Sequence, residues 1–477
     1  MTTSTQRWVL GLSALASFMV VLDMLVVVTA LPTIQRDLGA SLEALEWTVN
    51  AYTLSFAVLL MTGAAVGDLL GRRLGFVVGL GVFAVASAAC ALAPSVGALV
   101  AARACQGAGA ALVMPLALAL MNAAFPPERR GWATGIYGGV TGLAAVVGPV
   151  VGGAVTQGIA WEWIFWLNVP IGLVAIPLVL MRTPESRGTR TALDLPGIVT
   201  GAVAAFGLVW ALVRGNSAGW TSAETLVPLV AGLVAGVGFV AVERRVAAPM
   251  LPPRLFASRT FSSGNAAIFL LNAALTGSLF FVAQFFQVAG GYGALFAGLR
   301  LLPVGVVPLV LAPRAGALAD RFGERALIVG GSLAMALGLG WLASVASPSA
   351  AYWTLVGPLT LVGLGLTLGV PAMTRAVVSQ VALADLAKAS GTFSTFRQLG
   401  GAFGVAVLGA VFAATGGYGT AGTFTDGFVP AMVVSGVLGL AAAVAGLVLP
   451  GTRTGLTRSP RPGGGSPRRA PAAANRS

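Results

Sequence analysis

The amino-acid sequence predicts an all-α polytopic membrane protein with 14 transmembrane helices, arranged as two six-helix repeats with a two-helix insertion between them. Three observations carry this. Only 9% of residues are charged and 57% are hydrophobic, whereas a soluble domain carries about 25% charged residues; such a chain cannot cover a water-facing surface. Apolar runs of the length needed to cross a bilayer, about 20 residues, recur along it. A short charged stretch at 64–73, A-A-V-G-D-L-L-G-R-R, is echoed a little over half the chain later at 316–325, G-A-L-A-D-R-F-G-E-R. Each copy has an Asp, a Gly three residues on and an Arg two residues after that.

In order, the spans fall at 8–31, 46–66, 74–93, 97–120, 132–156, 163–181, 195–213, 225–243, 264–288, 295–315, 326–346, 352–374, 390–414 and 428–449. Joints as short as the one near Pro94 force neighbouring spans into antiparallel hairpins. Span 1 holds Asp23, and span 2 runs into the first charged stretch. Span 4 holds Arg103 and the run Gln106-Gly-Ala-Gly109 with Pro115. Span 5 holds Gly148-Pro149-Val-Val-Gly152-Gly153. Span 10 runs into the second charged stretch. Span 12 repeats span 4 with Val362-Gly-Leu-Gly365 and Pro371, and span 13 holds Arg397. Spans 1–6 and 9–14 therefore read as the repeats and spans 7–8 as the insertion. The expected divisions are 1–190, 191–258 and 259–450, followed by a tail at 451–477. The tail is rich in Pro, Gly, Ser and Arg, cannot bury a core, and reads as disordered.

Of the 28 basic residues, all but Arg36, Arg103, Arg214, Arg300 and Arg397 fall on one side of the membrane when the N-terminus is cytoplasmic. Positive loops stay inside, so both termini are expected in the cytoplasm. The net charge of +13 is then a topology signal, and no nucleic-acid partner is expected. Cys90 and Cys105 both lie inside spans, and there is no His. The chain thus lacks a disulfide framework and the usual metal ligand and proton switch. No metal or other cofactor is expected. No P-loop pattern occurs, and one deep acid without a His makes no catalytic constellation, so the chain does not read as an enzyme. Repeated halves with a site between them are a signature of secondary transporters.

Asp23 is the acid set deep within a span. A charge there costs about 2.5–3.5 kcal/mol on insertion scales, so it needs a cavity or a partner. It reads as a proton-carrying or cation-sensing acid, or as a structural residue that hydrogen-bonds a neighbouring helix. Arg103, always protonated, either modulates Asp23 by approach and retreat or snorkels to the surface. The small residues Gly148, Gly152 and Gly153 let helices approach closely, and Pro149 removes a backbone donor. In the paired stretches, Asp68 and Asp320 are each placed to cap a helix in the opposite half, giving a cytoplasmic-side latch that holds the outward-facing state and includes Gly71, Arg72, Arg73, Gly316, Arg321, Gly323 and Arg325. Candidate pocket residues are Asn50, Tyr52, Asn272, Gln284, Gln287, Arg397 and Gln398.

With these motifs on the page, the chain resembles the major facilitator superfamily, and within it the fourteen-helix drug:proton antiporter type. Asp68, Gly71, Arg72 and Arg73 match its loop motif, with Ala64 and Leu69 as departures. The second copy keeps Gly316, Asp320, Arg321, Gly323 and Arg325, with Glu324 at an Arg position. Residues 99–115 are similar to the span 4 motif, and 148–153 to the span 5 motif that marks antiporters. Residues 161–172 and 249–261 are similar to stretches typical of the fourteen-helix branch, and Asp23 with Ala30-Leu31-Pro32 to its span 1 motif. Leu25, Val28 and Glu162 depart from the pattern. The resemblance implies proton-coupled export of lipophilic or cationic small molecules, as in drug and antibiotic efflux, by a monomer. It would sit in the inner membrane of a bacterium and use alternating access, with Arg103 in a proton relay. The partners are then the small-molecule substrate, protons and the lipid bilayer. The rival reading is a proton-coupled porter for a specific metabolite.

Overall fold

The computed structural model describes residues 3–187, 194–246, 249–379, 381–382 and 385–450. The division expected at 190–191 and the tail at 451–477 lie outside the described residues. The chain runs α1 (Thr3–Leu38), α2 (Leu42–Leu70), α3 (Arg72–Ala91), α4 (Val96–Ala124), α5 (Pro127–Gly158), α6 (Trp163–Trp166), α7 (Asn168–Arg182), α8 (Leu195–Ala218) and α9 (Ala223–Glu243). It continues as α10 (Arg259–Val288), α11 (Ala294–Arg300), α12 (Leu302–Phe322), α13 (Glu324–Val345), α14 (Tyr352–Ser379), α15 (Leu386–Thr415) and α16 (Ala421–Leu447). The pair α6–α7 serves as one crossing and α11–α12 as another, so among the described residues 14 helical segments are long and apolar enough to span a membrane. The protein is a multi-pass membrane protein. Helices alternate between a near face, where α1 begins, and a far face.

Local chemistry sets the helix ends. Ser41 and Ser95 accept hydrogen bonds from the backbone N–H of Ala44 and Ala98, and Thr420 forms a reciprocal capping box with Thr423. Each fills orphan donors of a first turn. The helices outrun the apolar spans because their polar ends remain hydrogen-bonded; α1, for example, continues through Pro32 to Leu38. The turns between α2 and α3 and between α12 and α13 need a residue at positive φ. Gly71 supplies it at 113° and Gly323 at 80°, conformations that cost a side-chain-bearing residue and that Gly adopts freely.

Helices α1–α7 form one packed group and α10–α16 another, and the neighbours recur in the same order. The α2–α4, α3–α4, α1–α5 and α3–α7 contacts of the first are paralleled by α12–α14, α13–α14, α10–α15 and α13–α16 in the second. The groups meet along two seams, α2 against α15 and α5 against α11–α12. Helices α8 and α9 pack on each other, and α8 lies across the first seam, touching both α2 and α15. There Ala205, Val209 and Val213 join Leu54, Ala402 and Ala406 in one apolar cluster. A Trp47–Phe206–Trp210 aromatic group seals its edge.

Candidate functional site

The first group of helices closes around a charge. Asp23 lies midway along α1, beyond reach of water at either face, and is 1% exposed. Helix α4 brings Arg103, whose Nη1 lies 2.5 Å from Asp23 Oδ2. One turn further along α4, Gln106 donates to Asp23 Oδ1 at 2.8 Å, and Asn168 at the start of α7 donates to the same oxygen at 2.8 Å. Asp23 receives three donors and gives none, the arrangement an ionised carboxylate requires. Arg103 also donates to Gln106 Oε1 at 2.7 Å and to the Thr48 carbonyl at 3.2 Å. Its guanidinium stacks 4.2 Å from the Tyr52 ring centroid, a favourable cation–π contact. Ser87 of α3 ties Gln106 and Asn168 together from below. Five helices thus converge on one ion pair, whose burial is compensated by hydrogen bonds on both partners.

Gln106, Asn168 and Ser87 are not among the candidates drawn from sequence. Gln106 and Asn168 sit inside the runs 99–115 and 161–172, and that is the only signal the sequence offers for them. Tyr52, expected to line a pocket, is instead fully buried beneath Arg103, its hydroxyl donating to the Val20 carbonyl at 3.2 Å.

The two seams show how the halves stand. On the far half of α5, a Cβ at Gly148 would lie 2.7 Å from Leu25 Cβ, and one at Gly153 would lie 2.7 Å from Leu295 Cα of α11. A Cβ at Gly298 would likewise meet the backbone at Pro149. Gln157 of α5 accepts from the Leu295 N–H at 3.0 Å, and Gln287 of α10 donates to the Thr29 carbonyl at 3.0 Å, both across the halves. The near half of α5 is different. A methyl group added at Gly131, Gly135, Gly138, Gly139 or Gly142 would have no neighbour within 4 Å, and Trp132 is 61% exposed. The α5 seam is closed at the far face and parted at the near face. Between the near halves of α1 and α5 lies an apolar groove of about 420 Å³ lined by Leu10, Ala14, Phe18, Ile136 and Val140, with Arg7 at its mouth.

None of the expected pocket residues lines that groove. Gln284 is fully buried and bonds the Phe280 carbonyl and the Tyr418 hydroxyl. Asn272 donates to the Arg397 carbonyl at 2.7 Å, and Gln398 is buried beside it. Asn50 is fully buried with neither amide atom hydrogen-bonded. Arg397 is half-buried.

The latch was expected to hold the outward-facing state, and with the near face parted it is not engaged among the described residues. Asp68 pairs with Arg72 at 2.8 Å within its own half, and among the described residues it caps no helix of the other. The group that caps α3 is Glu185, just beyond α7. It accepts from the Arg73 N–H at 2.9 Å and the Leu74 N–H at 3.3 Å and lies 3.8 Å from the Arg73 side chain. Close spacing explains this: Arg72 follows Asp68 by one helical turn across the Gly71 break, nearer than any helix of the parted half. In the second copy Gly316 and the Asp320 side chain lie outside what is described. Arg321 is exposed against the Phe322 ring, Arg325 is half-buried, and Glu324 pairs with Arg375 of α14 at 3.5 Å.

The comparisons with known proteins agree with this architecture. The Major Facilitator Superfamily model matches residues 13–309, and the chain belongs to that superfamily of membrane transporters. It is 38% identical, over 97% of its length and 95% of the relative's, to the cephamycin export protein CmcT of Amycolatopsis lactamdurans. It is 37% identical to the tetracenomycin C resistance and export protein of Streptomyces glaucescens, covering 84% of this chain and 74% of that one. The methylenomycin A resistance protein of Bacillus subtilis is 35% identical over 86% of this chain and 88% of its own. Among solved structures, a POT family transporter in complex with a thioalcohol-conjugated peptide superposes with a TM-score of 0.70 at 14% identity, covering 92% of this chain and 95% of that one. That likeness concerns the fold alone.

Proposed function

We propose that the protein is a proton-driven antiporter that exports lipophilic small molecules of the drug or antibiotic kind from the cytoplasm, the near face being cytoplasmic. The observation that carries the reading is the buried Asp23–Arg103 pair with its Gln106 and Asn168 donors. An ionised acid sealed in the first half, while the near face is parted, is the state expected after proton release and before substrate leaves. Taking up a proton neutralises Asp23 and loosens its hold on Arg103, and that differential interaction biases the two conformations. Names of resistance and export among the relatives support the direction of transport. The apolar groove favours lipophilic compounds.

The test begins with a resistance screen in an efflux-deficient bacterial host to find an exported compound. In everted vesicles, adding that compound is expected to release protons from the lumen, and Asp23→Asn is expected to abolish the release. A transporter that moves the compound at the wild-type rate with Asn at 23 refutes the coupling.

A further inference from the structure

A second acid is buried in the molecule, and the Asp23 network does not use it. Glu46 lies in the second turn of α2, at the far-face end of the α2–α15 seam, and is 2% exposed. Its Oε2 has no hydrogen-bond partner. Opposite it stands Gly409 of α15, where a Cβ would lie 2.7 Å from Oε2 and closer still to the rest of the carboxyl group. The acid of one half is thus pressed against bare backbone of the other. One helical turn along, on the same stripe of α2, Asn50 is fully buried with both amide atoms unpaired. The stripe continues through Ala57, whose carbonyl accepts from Thr395 of α15 at 3.3 Å, and Met61 against Gly391. An otherwise apolar, tightly closed seam therefore holds two orphaned polar groups one turn apart at its far end.

Among the described residues, the surroundings offer Glu46 no counter-charge. Glu43, also on α2, is a like charge, and it is already paired with Arg214 of α8 at 2.8 Å. Arg214 is shared with Glu224 at 2.5 Å. Tyr418, in the connection between α15 and α16, bonds Gln284 of α10. Burial pushes the Tyr418 phenol well above its ordinary value, with Glu46 adding to the shift, so Tyr418 stays neutral and cannot serve as the titrating group. Helix α15 presents Gly409. Asn216 of α8 donates to the Ala410 carbonyl and holds the seam shut from outside. An ionised carboxylate without a partner in such a place carries a far larger desolvation penalty than the neutral acid.

We propose that Glu46 is a second proton-binding site, which the α2–α15 seam buries in its neutral form and which holds the far face open when ionised. The proton comes from far-face water when the seam parts and returns to it, so Glu46 sets when the far face closes and adds nothing to the protons carried across. The proposal rests on the proton-coupled reading above and concerns a different acid, in a different seam.

The experiment places spin labels at Ser41→Cys and Ala414→Cys in a Cys105→Ala background, in lipid nanodiscs, and measures the inter-label distance at pH 5.5 and pH 8.5. Wild type is expected to show the short distance alone at pH 5.5 and to gain a longer one at pH 8.5. Glu46→Gln, a permanent neutral mimic, is expected to keep the short distance at both, and Glu46→Asp to restore the titration. Gly409→Ala, which expels the carboxyl group from the seam, is expected to show the longer distance at both and decides the matter should Glu46→Gln fail to fold. A wild type insensitive to pH, or a Glu46→Gln or Gly409→Ala protein that titrates like wild type, overturns the proposal. Protons released per exported molecule in everted vesicles are expected to be the same for Glu46→Gln and wild type. A change in that ratio also overturns it, whereas loss of release in Asp23→Asn alone bears on the coupling reading.

Discussion

Replacing Asp23 with Asn removes the charge that Arg103 faces while keeping the side chain's shape. In the structure Asp23 takes Arg103 at 2.5 Å and both Gln106 and Asn168 at 2.8 Å. The amide can still accept on one side but points an N–H group at donors on the other. Arg103 becomes a buried charge without its counter-ion, a situation that costs about 3–5 kcal/mol. It keeps the Gln106 oxygen at 2.7 Å, the Thr48 carbonyl at 3.2 Å and the Tyr52 ring at 4.2 Å. The cost should therefore sit at the lower end, about 3 kcal/mol. Adding Arg103→Gln removes the stranded charge, and replacing both members of a buried pair is often neutral in stability. The Asp23→Asn/Arg103→Gln protein should then unfold at a higher temperature than Asp23→Asn alone, yet remain unable to release protons on addition of substrate. Thermal unfolding in detergent and everted-vesicle proton release measure the two. If the double variant is no more stable than the single one, the reasoning about the ion pair fails.

The remaining predictions concern the donors, the seam and the cap. Gln106→Leu or Asn168→Leu takes one charge-assisted hydrogen bond from Asp23, worth about 1.5–3 kcal/mol, and should lower thermal stability without preventing membrane insertion. Gly153→Val should block far-face closure and stop transport, since overpacking a tight contact costs about 1–3 kcal/mol. Gly138→Val, with open space around it, should transport normally, and equal rates for the two would refute the seam assignment. Glu185→Gln weakens the cap of α3 and its contact with Arg73; both groups are about a third exposed or less, so the loss should be about 1 kcal/mol, readable as increased proteolysis near the α2–α3 turn.

Composition and spacing already determined much of this protein. Apolar runs of bilayer length are a one-dimensional property, because in lipid each helix must satisfy its own backbone; the 14 crossings could be counted without knowing what packs on what. Gly71 and Gly323 stood out as a repeat, and the structure adds that each turn runs at positive φ. Asp23 and Arg103 stood out because a charge inside an apolar run demands explanation. What surrounds them was not legible. Gln106, Asn168 and Ser87 are ordinary polar residues in their own helices and become a carboxylate cage only when α3, α4 and α7 meet α1. Glu46 sat at the edge of an apolar span, where nothing in the sequence set it apart; packing against Gly409, more than three hundred and fifty positions away, is what buries it. Asp68 was expected to reach across the halves in the outward-facing state; with the near face parted, its side chain bonds to what lies within about 3 Å, here Arg72. Pairings between distant helices, and the choice of which face is closed, are three-dimensional facts that only the tertiary structure decided.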